Sequence, residues 1–229
     1  MGIIALAGGN EFRENCEQMD RRLLEVLGGA PKVSVAVLPT AAIKGSPRMA
    51  AENGVRHFKR LGAKAYSVMA VTREDGDNPA FVKEIERADM LYIAGGDPWY
   101  LLEVLRGSAI LAAARRVYER GGMLAGSSAG AMVVAAQMRT QNSDGWLDAL
   151  DIAQDVAVLP HHEHAESQQV EALLGRLKGG ITLLGIEEAT ACFRADNAQD
   201  WEVAGEGGVT VYRATGAGHY TNGERFKLG

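Results

Sequence analysis

The sequence predicts an α/β fold: a mostly parallel sheet with helices on both faces, and antiparallel hairpins at one edge near the C-terminus. Short apolar runs alternate with helix-period segments through most of the 229 residues. These runs are apolar on both faces, as is typical of parallel strands covered by helices. In the last third, three strand-like stretches follow one another with only polar turns between them, which indicates hairpins.

The predicted strands are short and end in glycine, proline or polar turns. Those before the last third are GIIALA (2–7), VSVAVLP (33–39), KAYSVMAV (64–71), MLYIAGG (90–96) and MLAG (123–126). DVAVLP (155–160) and ITLLGI (181–186) continue the alternation, and ATACFRA, DWEVAG and GVTVYRA supply the hairpins.

The predicted helices carry apolar stripes or start signals. The first has Cys16, Met19, Leu23, Leu24 and Leu27 on one face and ends at Gly28-Gly29. The next begins at Pro47 with the stripe Met49, Val55, Phe58 and Leu61. NPAFVKEIERAD follows the third strand, AILAAARRVYERGG follows the helix DPWYLLEVLRGS, and a last helix lies near 165–178. DPWYLLEVLRGS is capped by Asp97, with Pro98 at the first helical position.

Composition limits the class of protein. No repeat or linker divides the chain, so we expect one domain over residues 1–229. A net charge of -5 argues against nucleic acid or an anionic membrane as a partner. Two cysteines, Cys16 and Cys192, do not favour a disulfide framework, zinc cluster or redox motif. The start lacks signal-peptide features and no apolar run could span a bilayer, so we expect a cytoplasmic protein.

A serine turn is the strongest chemical signal. Residues 126–130 read GSSAG, which fits G-x-S-x-G, with an apolar strand before it and the helix-forming AMVVAAQM after it. A serine on such a turn lies above the carboxyl edge of the sheet, beside free helix N–H groups that can stabilise an oxyanion. Ser128 is therefore a candidate nucleophile; the alternative is a helix N-cap in a small-residue turn.

The partners of such a serine are a base and a carboxylate. Three of the five histidines lie in LPHHEH, after the strand 155–160, and a base is favoured there over a metal site made of His161, His162 and His164. Asp144, in RTQNSDG, and Glu188, at the strand end GIEEATA, are the candidate carboxylates. Each has a local alternative, an Asx-turn or a solvated strand end.

The motifs YIAGGDPWYLLEVL, GSSAGAMV, PHHEH and LGIEEATACF…WEVAGEGGVTVYR together resemble the dipeptidase E and cyanophycinase family of serine peptidases. The resemblance covers nearly the whole chain. It implies a class I glutamine-amidotransferase-like α/β fold, Ser128 as nucleophile, His161 as base, and an oxyanion hole of the Gly96 and Ala129 N–H groups. It implies no cofactor and no metal.

The two branches of this family differ in the third member of the catalytic triad and in the substrate. Aspartyl dipeptidases have an aspartate near position 144, about one residue earlier, whereas cyanophycinases have a glutamate where Glu188 stands; Glu188 is favoured. The arginine that binds an acidic substrate side chain in the dipeptidases has no counterpart in HAESQQVEALL, and His162-Glu163 departs from cyanophycinases.

The function predicted is a serine peptidase for small peptides, of dipeptidase or exopeptidase type. The alternatives are a cyanophycinase-like hydrolase, an esterase or amidase using the same residues, and a non-catalytic amidotransferase-like binding protein. Asp97, Trp99 and Trp146 are candidate substrate-binding residues of a compact pocket that accepts di- to tetrapeptides or a chain end. A homodimer is compatible with this pocket.

Overall fold

The computed structural model describes residues 2–142, 145–195, 198–213 and 215–228. The strands are β1 Ile3–Ala7, β2 Ser34–Leu38, β3 Lys64–Ser67, β4 Met90–Ile93, β5 Met123–Ser127, β6 Ala135–Arg139, β7 Trp146–Asp148, β8 Ala153–Pro160, β9 Thr182–Ile186, β10 Thr190–Ala195, β11 Trp201–Gly205, β12 Gly208–Arg213, β13 Gly216–Thr221 and β14 Arg225–Phe226. The helices are α1 Glu17–Val26, α2 Pro47–Arg60, α3 Pro79–Glu86, α4 Pro98–Leu105, α5 Ala109–Glu119, α6 Ala129–Val134 and α7 Ser167–Leu174. Within these ranges no helix is both long and apolar enough to cross a membrane.

The larger sheet has the strand order β14-β11-β10-β1-β5-β4-β2-β3. The strands β1, β5, β4, β2 and β3 run parallel to one another, and β10, β11 and β14 add an antiparallel edge. Helices α1 and α2 pack on one face, and α3 to α6 contribute to the core on the other. The predicted fold class is therefore confirmed.

A second sheet holds the strands that the sequence placed at 155–160 and 181–186. Its order is β13-β12-β9-β8-β6-β7, with β6, β8 and β9 parallel. Val158 and Ile186 of this sheet share one buried core with Leu6 of the first sheet and Val133 of α6. Two sheets, rather than one continuous sheet, therefore enclose that core.

The segment after the serine turn differs from the prediction. The sequence predicts a helix over AMVVAAQM, but α6 ends at Val134 and the chain continues as β6. Val134 and Ala135 are fully buried, and β6 pairs with both β7 and β8. Tertiary pairing of this segment outweighs the helix propensity of its alanine, glutamine and methionine residues, because tertiary context routinely overrides local propensity.

Two smaller expectations also change. The stretch 208–213 does not pair with β11; it crosses to the second sheet and lies between β9 and β13. Met49 is 59% exposed, so the apolar stripe of α2 does not include it. Phe58 of that stripe is fully buried, as predicted.

The two sheets are joined at the ends of their central strands. The loop after β1 accepts hydrogen bonds from the second sheet: the His161 N–H donates to the Gly8 carbonyl (3.0 Å) and the Ala189 N–H to the Gly9 carbonyl (3.2 Å). The end of β5 is also joined to the end of β1, because the Ser128 N–H donates to the Ala7 carbonyl (2.9 Å). Residues that follow strands of both sheets therefore meet at one edge.

Candidate active site

Ser128 occupies a strained turn between β5 and α6. Its backbone has φ 49° and ψ -109°, a conformation that costs about 1–3 kcal/mol outside glycine. Space is tight as well, since a Cβ on Gly130 would lie 2.3 Å from the Ile93 carbonyl oxygen. The Ser128 hydroxyl makes no capping hydrogen bond to α6. Ser128 therefore does not act as a side-chain N-cap of α6, which was the alternative interpretation.

His161 lies within hydrogen-bond distance of the Ser128 hydroxyl. It follows directly after β8, and its left-handed backbone (φ 53°, ψ 41°) turns the side chain toward the first sheet. The Nε2 atom lies 3.0 Å from Ser128 Oγ. A hydroxyl and an imidazole nitrogen at this distance can exchange a proton directly.

Glu188 lies on the other side of the imidazole. Its Oε1 is 2.7 Å from His161 Nδ1. An ionised carboxylate only accepts hydrogen bonds, so Nδ1 carries the proton and Nε2 is left to accept from Ser128. The Glu188 amide is held in turn by both carboxylate oxygens of Glu163, each at 3.2 Å.

Strand pairing explains why His161 and Glu188 meet. Strands β8 and β9 are parallel neighbours, and Pro160 lies beside Ile186 in their register. His161 is one residue beyond the first of these positions and Glu188 two beyond the second. The other candidate carboxylate, Asp144, lies outside the described residues.

The glycine loop after β4 faces the same turn. Gly96 has φ 140°, and a Cβ there would lie 2.1 Å from the Ala41 carbonyl oxygen, so no other residue fits without movement. The N–H groups of Gly96 and Ala129 have no hydrogen-bond acceptor within the described ranges. They are thus available to a ligand, Ala129 as the first residue of a helix.

Asp97 and Trp99 line a cavity of about 300 Å³ beside this loop. The Asp97 carboxylate accepts from the Trp99 and Tyr100 amides and pairs with Lys44 Nζ at 2.8 Å. Burial acts to raise the Asp97 pKa, but Lys44 and the two amides hold it below its usual value. The Trp99 indole N–H donates to the Arg139 carbonyl at 3.2 Å. Asp97 is thus engaged as a helix cap and ion-pair partner.

Trp146 lies elsewhere, on the face of the second sheet that packs against α7. Its indole N–H donates to the Leu173 carbonyl at 2.9 Å. Its ring packs on a small apolar cluster that includes Leu159 and Val170. The structure therefore does not place Trp146 and Trp99 on the wall of one shared pocket.

The three neighbouring histidines point to different partners. His162 Nε2 contacts the Tyr212 hydroxyl at 2.9 Å, and burial lowers the His162 pKa. His164 is exposed, with Nε2 3.8 Å from Glu163. The metal site considered from His161, His162 and His164 therefore does not form. Ligand atoms of Glu163, His164 and Glu188 do lie within 4.8 Å of one another, but both carboxylates already accept hydrogen bonds.

Glu11 is a site residue that sequence reasoning missed. It lies in the loop after β1, and its carboxylate contacts both the glycine loop and the serine turn: it accepts from the Gly95 N–H at 2.7 Å and from Ser127 Oγ at 2.9 Å. The available signal was its place just beyond a strand end, in a loop that otherwise reads Gly-Gly-Asn.

Comparison with known proteins decides the family. Residues 3–200 match peptidase family S51. The chain belongs to this family. It is a serine-type peptidase, and its substrates are peptides.

Relatives of this S51 peptidase include proteins called cyanophycinase. One, from Geminocystis herdmanii, is 27% identical over 96% of this chain and 83% of the relative. Another, from Synechococcus elongatus, is 24% identical over 92% of this chain and 67% of the relative.

Two solved structures are similar. A peptidase from an acI-B1 Actinobacterium has a TM-score of 0.86 at 27% identity, covering 99% of this chain and 97% of that one. A putative peptidase E from Listeria monocytogenes has a TM-score of 0.65 at 16% identity, covering 90% and 99%, and this likeness shows the fold.

The thiols of this peptidase are expected to be inert. Cys16 and Cys192 are free and fully buried. Burial, followed by the charge of Asp20, raises the pKa of the Cys16 thiol to about 12, and burial raises the Cys192 pKa well above its ordinary value.

Since the thiolate is the reactive form, iodoacetamide at pH 8 should leave peptidase activity unchanged. Ellman's reagent should detect no thiol in the folded protein and two after denaturation. Activity lost in step with alkylation of Cys16 would contradict this.

Proposed function

We propose that this peptidase cleaves short peptides through an acyl-enzyme on Ser128, with His161 as general base and Glu188 as the carboxylate that orients it. One observation carries the proposal: an unbroken hydrogen-bonded chain from Ser128 Oγ through both nitrogens of His161 to Glu188 Oε1, with distances of 3.0 and 2.7 Å. This is the arrangement of a serine-histidine-carboxylate triad, in which the base activates the hydroxyl and the acid orients the base.

Each residue has a defined role in the proposed reaction. His161 Nε2 takes the hydroxyl proton as Ser128 Oγ attacks the scissile carbonyl, and Glu188 stabilises the imidazolium that forms. The N–H groups of Gly96 and Ala129 stabilise the negative charge that develops on the carbonyl oxygen. His161 then returns the proton to the leaving amine, and water hydrolyses the acyl-enzyme by the same route in reverse.

The proposed substrate is a small peptide. The cavity beside Gly96, at about 300 Å³, is at the lower end of the range for small-ligand pockets. Lys44, whose side chain is 75% exposed, is the cation on its lining. Because relatives are called cyanophycinase, cyanophycin belongs in any substrate panel beside di- to tetrapeptides.

The experiment combines a fluorophosphonate probe with a substrate panel. The wild-type protein should be labelled at Ser128, whereas Ser128→Ala should not be labelled. A protein that only binds ligands would leave the probe unreacted. Faster turnover of simple esters than of every peptide would favour the esterase alternative and count against the peptidase substrate proposed here.

Substrate size is a separate prediction. A compact pocket should accept di- to tetrapeptides or a short chain end and reject folded or long internal segments. We expect mass spectrometry of a peptide-library digest to show terminal cleavage of the short peptides. Casein incubated with the enzyme in a separate assay should stay intact. Efficient internal cleavage of casein that disappears in Ser128→Ala would refute the small-peptide specificity while leaving the role of Ser128 intact.

Further expectations from the sequence stay predictions: a single domain, a homodimer and a cytoplasmic location. A homodimer would be detected by light scattering after size-exclusion chromatography. Trp146 also stays a candidate substrate-binding residue; we expect Trp99, which lines the cavity by Gly96, to affect KM more strongly.

A further inference from the structure

Glu11 connects the two segments that carry the oxyanion N–H groups. Its Oε1 accepts from the Gly95 N–H at 2.7 Å, and its Oε2 accepts from Ser127 Oγ at 2.9 Å. Gly95 immediately precedes Gly96, and Ser127 immediately precedes Ser128 and Ala129. One carboxylate is therefore hydrogen-bonded next to both parts of the proposed oxyanion hole.

This link lies where the sheet no longer holds the two segments together. Strands β4 and β5 pair only as far as Ile93 and Gly126, so the residues beyond them have no ladder hydrogen bonds to each other. The approach is nevertheless close: a Cβ on Gly95 would lie 2.9 Å from Glu11 Oε1 and 3.2 Å from Ser128 Cβ. The two hydrogen bonds of Glu11 therefore take the place of the missing ladder bonds between these segments.

We propose that Glu11 is a positioning residue that sets the spacing between the Gly96 and Ala129 N–H groups. The inference rests on the proposed function of those groups. Glu11 acts through the Gly95 peptide and the Ser127 hydroxyl. Its negative charge would by itself oppose an oxyanion nearby, so its contribution is the fixed spacing of the two polar groups at the end of its side chain.

Glutamine and aspartate separate geometry from charge. In Glu11→Gln the amide oxygen can still accept from Gly95, and its NH₂ can donate to Ser127 Oγ. In Glu11→Asp the charge is kept, but the side chain is one methylene too short to contact both partners. Glu11→Ala removes both contacts. The matched control is Glu14→Ala, three residues further along the chain, at an exposed position whose side chain makes no hydrogen bond or ion pair with any described residue.

The measurement is kcat and KM on a short peptide, together with the second-order rate of fluorophosphonate labelling. Loss of a single oxyanion donor costs about 10²–10³-fold in kcat, so displacement of the loop by Glu11→Ala or Glu11→Asp should cost roughly 10–100-fold. KM should stay within about threefold, because the interaction is made mainly in the transition state. The labelling rate should fall by a similar factor, and Glu11→Gln and Glu14→Ala should stay within about threefold of wild type.

Two results would overturn the proposal: Glu11→Asp with wild-type kcat, or Glu11→Gln as slow as Glu11→Asp, which would mean that the charge matters. If Glu11→Ala does not fold, the comparison of the glutamine and aspartate variants still decides. Failure of the proposed function looks different, because then the wild-type protein itself would not be labelled at Ser128.

Discussion

Ser128→Ala is expected to lower kcat by roughly 10⁵–10⁶-fold on any short peptide that the wild-type enzyme cleaves. The hydroxyl is the protein group that forms the covalent bond to the substrate carbonyl in the proposed mechanism, and it lies 3.0 Å from His161 Nε2. KM should change little, because the binding surfaces remain. The measurement is single-substrate kinetics at high enzyme concentration, with fluorophosphonate labelling of the same preparations.

The backbone of Ser128 supplies a matched control. With φ 49° and ψ -109°, alanine remains as strained as serine, whereas glycine adopts this conformation at little cost. Ser128→Gly should therefore be as inactive as Ser128→Ala but unfold at a higher temperature. Peptidase activity retained by either variant would show that Ser128 is not the nucleophile. Equal melting temperatures would show that the turn relaxes without its side chain.

Glu188→Gln is expected to lower kcat by about 10⁴-fold. The carboxylate accepts the Nδ1 proton at 2.7 Å, which keeps Nε2 free to accept from Ser128. A glutamine can present its NH₂ to Nδ1 and thereby stabilise the tautomer with the proton on Nε2, which cannot act as a base. The loss should appear in kcat and in the rate of fluorophosphonate labelling.

Asp144→Asn is the comparison for this variant. Asp144 is the carboxylate that the dipeptidase-like segment RTQNSDG offers instead, and we expect its replacement to leave kcat within about threefold, because Glu188 already contacts His161 Nδ1. Wild-type turnover in Glu188→Gln with a large loss in Asp144→Asn would reverse the assignment. Large losses in both would show that two carboxylates act on His161.

The catalytic candidates could be recognised in the sequence because each follows a strand. Ser128 lies in a small-residue turn after one apolar run, His161 after LP at the end of another, and Glu188 just after ITLLGI. Residues at the carboxyl ends of parallel strands meet at one edge, so the candidate site could be listed before any distance was known. The alternation of strands and helices predicted the fold class for the same local reason.

Other features depend on contacts between distant segments. The short helix α6 and the strand β6 look like one helix in sequence, since AMVVAAQM has no breaker. Only pairing with β7 and β8 makes the second half a strand, and that pairing creates the second sheet. The role of Glu11 cannot be predicted from its neighbours in the sequence, because its partners, Gly95 and Ser127, are 84 and 116 residues away along the chain.

Local sequence pattern was thus sufficient for ten of the fourteen described strands, most helices and the residue types of a serine nucleophile, a histidine base and an acid; β6, β7, β13 and β14 were not predicted. The tertiary structure alone decided that the serine comes from one sheet and the histidine and glutamate from another, joined through the carbonyls of Gly8 and Gly9. The physical reason is range. Turn strain, capping and hydrophobic period act over a few residues, whereas strand order and hydrogen bonds such as that of Glu11 depend on which distant segments bury their apolar faces together.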